Sequence, residues 1–273
     1  MSCKKRVQRA LEGAVRLPLC ADSRYVLFSD CHRGEGTNND NFLKNQHLYL
    51  AAAEYYLRKG FFYIELGDGE ELWENRCIRR IMSYHERTYR LLDCYRQSNR
   101  FLKIYGNHDM ELRDTLPPAV ILQNEEGGRD ICMIHGHQAD FFNSVLWRLS
   151  RFLVRYLWKP LEHTGINDPT SAARNYRKTE HHEKCLKNWT IENDTYLVAG
   201  HSHRPRLPEE GEGYMNTGSC VHPSGITCIE IEHMRATLVR WSMGTDVNAA
   251  RSWHAGMALY VNREVIAGPM KIV

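Results

Sequence analysis

The sequence predicts an α/β fold in which two mixed β-sheets pack as a sandwich and are flanked by helices. Short apolar runs alternate with helical segments in the first half of the chain, which favours parallel strands covered by helices. Beyond Pro117 and Pro118 the strand-like runs follow one another at shorter intervals. No internal repeat or low-complexity linker interrupts the chain, so we expect residues 1–273 to form a single domain.

The first half of the chain predicts three strands separated by two helices. In order, these elements are a strand at Tyr25–Phe28, a helix at Asn41–Lys59, a strand at Phe61–Leu66, a helix at Glu71–Asn99 and a strand at Phe101–Tyr105. Gly60 follows the first helix, at a position where glycine is the favoured residue after a helix end.

The second half predicts six further strands and one long segment without any. The strands are Ala119–Gln123, Ile131–Ile134, Thr195–Ala199, Tyr214–Asn216, Ile226–Glu232 and Ala236–Trp241. The last two are separated by only a few residues and predict a hairpin. Residues 141–189 carry no clear strand signal, so we expect a helical insertion, or lid, within the domain.

Composition is that of an ordinary soluble globular protein. Apolar residues make up 42 % of the chain and charged residues 25 %, and the net charge of +3 is too small to indicate a nucleic-acid partner. The nine cysteines are scattered, which favours a reducing compartment over a disulfide framework. The N-terminus lacks the apolar core of a signal peptide, and no apolar stretch is long enough to span a membrane. We therefore expect a cytoplasmic protein.

Polar clusters stand where five of the predicted strands end. They are Asp30-Cys31-His32, Gly67-Asp68-Gly69-Glu70-Glu71, Gly106-Asn107-His108-Asp109, His135-Gly136-His137 and Gly200-His201-Ser202-His203. Glycine and asparagine favour turns, but turn preference does not account for five clusters of this kind. Because loops at the carboxyl ends of strands converge on one crevice in open α/β sheets, we expect these side chains to meet.

The residue types in these clusters are those of a metal site. Two ligands separated by one residue, as in Asp30 and His32, can lie on the same side of an extended chain. Asp68 has two carboxylate oxygens and can bridge two cations. Imidazole and carboxylate ligands without a thiolate cage fit Mn, Fe, Zn, Co or Ni. Two such cations about 3.5–4 Å apart would clamp a phosphoryl oxygen and lower the pKa of a water between them.

The ordered motifs DCH, GDGEE, GNHD, HGH and GHSH resemble those of the calcineurin-like metallophosphoesterase family. The likeness extends over residues 25–220 apart from the insertion, and it implies a dinuclear site. One metal would be held by Asp30, His32, Asp68 and His203, and the other by Asp68, Asn107, His135 and His201. The likeness also implies that His108 faces the leaving-group oxygen and that Asp109 orients its imidazole.

The activity implied by this resemblance is hydrolysis of a phosphodiester, pyrophosphate or phosphomonoester by attack of a metal-bound hydroxide. Two divalent ions are expected as cofactors, with Mn favoured over Fe, Zn, Co and Ni. A catalytically silent scaffold on the same fold is the alternative, although it should have lost ligands that this chain retains. Glu71 stands where family members often have a supporting acid, Cys31 and Trp73 are expected in the core, and His137 is expected to stabilise a turn or face the substrate.

The insertion has two interpretations. A helix over Asn143–Lys159 would carry a narrow basic stripe on an otherwise apolar surface, formed by Arg148, Arg151, Arg155 and Lys159. It could pack as a lid, or it could form a groove for an amphiphilic phosphorylated substrate or a peripheral membrane contact. The UDP-2,3-diacylglucosamine hydrolases are similar in having such an insertion, but they usually have Arg in place of His108 and HGD in place of HGH. The resemblance to that branch therefore implies the reaction type and leaves the substrate open.

Overall fold

The computed structural model describes residues 2–37, 40–140, 152, 176–244, 250–254 and 257–272. The helices in this part of the chain are α1 (Cys3–Glu12), α2 (Gln46–Arg58), α3 (Ile78–Tyr84), α4 (Glu86–Gln97) and α5 (Tyr176–Asn193). The strands are β1 (Val15–Leu19), β2 (Arg24–Phe28), β3 (Phe62–Leu66), β4 (Phe101–Ile104), β5 (Ala119–Asn124), β6 (Ile131–Ile134), β7 (Tyr196–Ala199), β8 (Tyr214–Asn216), β9 (Ile226–Glu232), β10 (Arg235–Met243), β11 (Ala250–His254) and β12 (Met257–Lys271).

Two mixed sheets organise these strands. The larger sheet has the order β11-β12-β10-β9-β2-β3-β4, in which β2, β3 and β4 are parallel and the others join by antiparallel pairing. The smaller sheet has the order β1-β5-β6-β7-β8, and only β5 and β6 are antiparallel in it. The predicted fold class, two mixed sheets with flanking helices, is confirmed.

Three apolar layers hold the sheets and helices together. The central layer joins the two sheets, with Leu27 and Ile64 of the larger sheet in one cluster with Val120 and Met133 of the smaller. A second layer packs α2 and α4 on the outer face of the larger sheet, and it is rich in aromatic rings such as that of Tyr56. A third packs α1 and α5 on the outer face of the smaller sheet. Each sheet is therefore packed on both faces. This packing supports the strands whose carboxyl ends carry the polar clusters, namely β2, β3, β4, β6 and β7.

All nine predicted strands are present, with bounds within two residues of those expected. Gly60 follows α2 at a φ of 81°, as expected of a glycine after a helix end. The predicted helix at Glu71–Asn99 is wrong over its first part, because helical structure begins only at Ile78. The backbone N–H of Glu71 donates to the carbonyl of Arg33 at 3.0 Å, which draws residues 70 and 71 toward the end of β2 and away from a helical path.

The sequence reasoning missed four elements and one covalent link. Helix α1, with Ser2 capping its start, was not predicted, and neither were β1, β11 and β12. A disulfide joins Cys3 to Cys185, which the scattered spacing did not suggest, and the other seven cysteines are free thiols.

The end of the predicted insertion forms α5, whereas the expected helix at Asn143–Lys159, with Arg148, Arg151, Arg155 and Lys159, lies outside the described residues. No helix in the described part of the chain has the length and apolar content needed to cross a membrane.

Candidate metal centre

The five polar clusters meet at one end of the sandwich, where backbone pairing continues past the strand ends. The N–H of Asp30 donates to the carbonyl of Gly67 at 3.1 Å, and that of His32 to the carbonyl of Asp68 at 2.9 Å. In the smaller sheet the N–H of Gly200 donates to the carbonyl of His135 at 2.8 Å. These bonds hold the loops of each sheet in place. The site therefore contains residues that follow strands of both sheets.

An unusual backbone conformation turns several of these side chains into the site. Five of the seven predicted metal ligands have positive φ angles between 48° and 64°, namely Asp30, His32, Asp68, His201 and His203. Such angles are rare for residues other than glycine and cost of order 1–3 kcal/mol each, so they persist only where the surrounding structure imposes them. Their concentration in one place marks a site whose geometry the fold enforces at a cost in stability.

Gly106 lies so close to Asp68 that no side chain would fit between them. A Cβ atom at position 106 would fall inside the contact radius of the Asp68 carboxylate and of the Asp68 backbone nitrogen. The glycine of the GNHD motif therefore has a steric purpose, which is to let the loop after β4 approach the loop after β3.

The first group of converging donors contains Asp30, His32 and His203. His203 Nε2 lies 3.0 Å from Asp30 Oδ1, and His32 Nε2 lies 3.9 Å from the same oxygen. His32 Nδ1 donates to Glu71 Oε2 at 2.8 Å, which leaves the lone pair of Nε2 directed at this group. The nitrogen and oxygen atoms are thus close enough to bind one cation in common.

The second group contains Asp68, Asn107, His135 and His201. His135 Nε2 lies 3.1 Å from both Asp68 Oδ2 and Asn107 Oδ1. Its Nδ1 donates to the carbonyl of Leu66 at 2.7 Å, so that its Nε2 is again the atom facing the group. His201 Nε2 is buried and has no hydrogen-bond partner among the described residues. A buried nitrogen without a partner beside a carboxylate fits a metal ligand, because leaving it unpaired would otherwise cost free energy.

Asp68 stands between the two groups. Its Oδ2 lies 3.1 Å from His135 Nε2 and 3.9 Å from His32 Nε2, while its Oδ1 accepts from the backbone N–H of His108 at 2.8 Å. Burial raises the pKa of the Asp68 carboxyl, but the nearby imidazoles, His135 first, outweigh it and hold that pKa well below its usual range. The carboxylate is therefore charged and within reach of both groups.

The negative charge of the pocket also acts on His135. Burial lowers the pKa of His135, but the charges of Asp68 and Asp30 outweigh it and raise that pKa to about 9. Without a cation the pocket would thus hold protons, which a metal would displace on binding.

His108 lies beside the two groups and is held by two contacts. Its Nδ1 donates to Glu71 at 2.7 Å, and its ring stacks on the indole of Trp73 with centroids 4.4 Å apart. Burial lowers the pKa of His108, but the charges of Glu71 and Asp68 overcome this and raise the pKa to about 10. The ring is still partly exposed, so its other nitrogen is accessible from the site.

The prediction that Asp109 orients His108 is wrong. The Asp109 carboxylate is fully buried and accepts from the backbone N–H groups of Gly106 at 2.5 Å, Gly69 at 3.0 Å and Asp68 at 3.4 Å. These hydrogen bonds link the loop after β3 to the loop after β4. Glu71, which the sequence offered only as a supporting acid, holds the imidazole instead.

The remaining predictions for this region are resolved by burial. Cys31 is fully buried in the aromatic layer, as expected, and Trp73 is buried as expected but also contacts His108. His137 lies in a short turn with only 3 % of its surface exposed, and its ring centroid is 5.5 Å from that of His135. Burial lowers the pKa of His137 to about 3, so its imidazole is neutral. The burial fits the expected turn role better than a substrate-facing one.

Comparisons with known proteins found no match by sequence and several solved structures that overlap with this chain in part. No protein-family model matches the chain, and no curated protein matches its sequence. Similar solved structures include a mutant Vps29 from Entamoeba histolytica, at 14 % identity and a TM-score of 0.41, covering 89 % of this chain and 99 % of that one. Vps29 from Chaetomium thermophilum is 12 % identical, with a TM-score of 0.40 and coverage of 91 % and 97 %. A mutant cold-active protein tyrosine phosphatase is 13 % identical, with a TM-score of 0.42 and coverage of 83 % and 79 %. Overlaps of this size carry no argument about fold or activity.

Proposed function

We propose that this protein is a calcineurin-like phosphoesterase that uses two divalent cations to hydrolyse a phosphodiester, pyrophosphate or phosphomonoester. The observation that carries the proposal is the convergence of imidazole and carboxylate donors in three groups, two of which share His32. They are Asp30, His32 and His203; His32, Glu71 and His108; and Asp68, His135 and His201, and in each the donor atoms lie within 4.8 Å of one another.

The ligand assignment follows the two groups on either side of Asp68. One cation would be held by Asp30, His32, Asp68 and His203, and the other by Asp68, Asn107, His135 and His201. The unpaired His201 Nε2 and the backbone-bonded Nδ1 of His135 support this assignment, because both rings present a nitrogen lone pair to the pocket. Such cations would polarise a phosphoryl oxygen and lower the pKa of a nucleophilic water. Mixed nitrogen and oxygen ligands favour Mn, with Fe, Zn, Co and Ni as alternatives.

We assign to His108 the role of donating a proton to the leaving-group oxygen. Glu71 engages Nδ1, so the proton on Nε2 is the one that a departing oxygen could take. The Glu71 charge outweighs the effect of burial and raises the pKa of this imidazole, which favours the protonated form that a general acid needs. Stacking on Trp73 restricts rotation of the ring, so the proton stays aimed in one direction.

The finer predictions about substrate and compartment stay proposals. An amphiphilic substrate, a membrane contact or a UDP-diacylglucosamine-type pyrophosphatase activity depends on residues 143–159, which lie outside the described part of the chain. A cytoplasmic location and a phosphorylated small molecule as substrate are proposed on the sequence alone. The silent scaffold is the competing function, and the test below separates it from the enzyme.

Activity screening tests the proposal. We expect the purified protein to release chromophore from a phosphate mono- or diester when given Mn²⁺, and to lose that activity with EDTA. Asp30→Asn should abolish turnover, whereas Asp93→Asn, which changes a carboxylate exposed on α4, should leave it unchanged. Absence of turnover with every ester under Mn, Fe, Zn, Co and Ni would favour the silent scaffold.

A further inference from the structure

Four charged side chains are buried directly beneath the candidate metal centre. Arg33 donates to Glu65 through two bonds of 2.9 Å and 2.6 Å, and to Glu70 at 3.0 Å. Lys103 Nζ lies 2.9 Å from Glu65 Oε1 and also pairs with Glu70. Arg33 and Glu65 have no exposed surface, and Glu70 and Lys103 have less than a tenth. We call Arg33, Glu65, Glu70 and Lys103 the buried ion cluster.

Aromatic residues lie against the cluster, in which only Arg33 Nε has no hydrogen-bond partner among the described residues. The hydroxyl of Tyr89 donates to Glu70 at 2.8 Å, and that of Tyr63 donates to Glu65 at 3.1 Å. Glu65 and Glu70 each contact both cations of the cluster, so every charge in it has partners of opposite sign. Buried ion pairs contribute little net stability, because desolvation of the charges offsets their attraction. Stability alone is therefore a weak reason for this arrangement.

Each side of the cluster is connected to a residue of the site. Arg33 follows His32, and Glu70 stands between Asp68 and Glu71. The N–H of Arg33 donates to the carbonyl of Gly69, and the N–H of Glu71 donates to the carbonyl of Arg33, both at 3.0 Å.

Lys103 connects the cluster to the second loop of the site. Its Nζ lies 3.4 Å from Asp109 Oδ2, and Asp109 accepts from the backbone N–H groups of Gly69 and Asp68. The charges thus form a continuous set of contacts from β2, through the loop after β3, to the loop after β4.

Gly69 shows that the loop is shaped around this cluster. A Cβ atom at position 69 would overlap the Glu65 carboxylate and the Lys103 ammonium, and it would approach the Arg33 guanidinium at 2.6 Å. The sequence Gly69-Glu70 inside the GDGEE motif therefore has a physical explanation. Gly69 leaves room for the buried ion cluster, and Glu70 is a member of that cluster.

We propose that the buried ion cluster is a positioning device, which sets the placement of the Asp68 and Glu71 carboxylates and thereby the affinity of the site for divalent cations. The statement about cations rests on the proposed function. Without the Glu70 charge, Lys103 keeps Glu65 and Asp109 as its partners, so its attraction for Asp109 is less shared. Attraction of Asp109 toward Lys103 would weaken its bonds to the N–H groups of Gly69 and Asp68, and the loop that carries both carboxylates would shift.

The test compares Glu70→Gln with Glu230→Gln. Glu230 is a matched control, because it too is a buried carboxylate paired with a cation, Arg263, and a tyrosine hydroxyl, that of Tyr56, but it lies among residues of the outer aromatic layer. We expect both variants to lower the melting temperature. Only Glu70→Gln should weaken Mn²⁺ binding in calorimetry, by about 10–100-fold, the usual effect of removing a residue that supports metal ligands.

A second readout needs no metal. The imidazole ¹H–¹⁵N resonances of His32 and His108, both bonded to Glu71, should shift in metal-free Glu70→Gln and stay in place in Glu230→Gln. If wild-type protein binds no Mn²⁺, the proposed function fails, while these resonances still decide whether the cluster positions Glu71.

A milder variant guards against misfolding. Tyr89→Phe removes one hydrogen bond to Glu70 and keeps every charge, and Tyr56→Phe is its control. We expect Tyr89→Phe to weaken Mn²⁺ binding in the same direction, by several-fold. Loss of thermal stability with unchanged Mn²⁺ affinity and unchanged imidazole resonances, in Glu70→Gln or in Tyr89→Phe, would overturn the proposal, since it would make the cluster purely structural.

Discussion

Replacing Glu71 by glutamine is the most informative single change in the candidate site. The carboxylate accepts from His32 Nδ1 at 2.8 Å and from His108 Nδ1 at 2.7 Å, and the two rings stand edge to face with centroids 4.6 Å apart. A glutamine side chain has one acceptor oxygen and an NH₂ group. Its NH₂ group must take the place of Oε1, which lies 2.8 Å from His108 Nδ1, or of Oε2, which lies 2.8 Å from His32 Nδ1, and in either place it meets an imidazole N–H.

The conflict can be relieved only if one imidazole changes its protonation. If His32 moves its proton to Nε2, that nitrogen can no longer bind a cation. If His108 becomes neutral, it loses acidity, because the Glu71 charge is the main cause that raises its pKa to about 10. A hydrogen bond to a charged group contributes about 1.5–3 kcal/mol, and Glu71→Gln loses at least one such bond. At about 1.4 kcal/mol for each factor of ten, we expect turnover to fall by at least about 10–10²-fold.

The assay is steady-state hydrolysis of a chromogenic ester at saturating Mn²⁺, with Glu264→Gln, an exposed carboxylate on β12, as control. A double-mutant cycle with His108→Ala then separates the two effects of Glu71. If Glu71 acts through His108, the loss in kcat for the double variant should be smaller than the product of the single losses. Turnover of Glu71→Gln within about threefold of wild type, or losses that multiply fully, would refute the assigned contact.

Three further predictions follow from the same geometry. His108→Ala should lower turnover by about 10²–10⁴-fold while leaving metal content intact, with a smaller loss for leaving groups that need no proton, and loss of the metals would contradict its assigned role. Gly106→Ala should force the loop away from Asp68 and destabilise the fold by about 1–3 kcal/mol in urea unfolding; an unchanged midpoint would contradict the close approach. Burial raises the pKa of the Asp40 carboxyl, but the hydrogen bond from His85 outweighs this effect and lowers the pKa. The stabilising effect of the Asp40 carboxylate is therefore complete above about pH 4 and is lost on acidification. Asp40→Asn should therefore unfold more easily at pH 6 and show a flatter acid dependence, and an unaltered pH profile would contradict this.

The parts of the fold that the sequence predicts are those with local signals. An apolar run followed by Gly, Asp or His indicates where a strand ends. All five polar clusters could therefore be assigned to strand ends from the sequence. The C-terminal strand β12 was not predicted. Helix α1 has local signals, a Ser2 cap and a terminal Gly13, but it was not predicted either.

Other features depend on contacts between distant residues and have no local signal. Glu65 and Lys103 stand within short strands, where an isolated charge predicts a solvent-facing position, yet both are buried because Arg33 and Glu70 pair with them. The family resemblance implied Asp109 as the partner of His108 and offered Glu71 only as a supporting acid. The choice between them is made by the backbone N–H groups that Asp109 satisfies.

Counting bound metal ions tests the central claim most directly. Protein saturated with Mn²⁺ should contain two ions per chain by metal analysis, and anomalous scattering should locate both, with an oxygen of Asp68 contacting each. Asp68→Ala should lose both ions, because the Asp68 carboxylate lies within reach of both groups of donors. Finding at most one ion, or two ions in a site that excludes Asp68, would contradict the account.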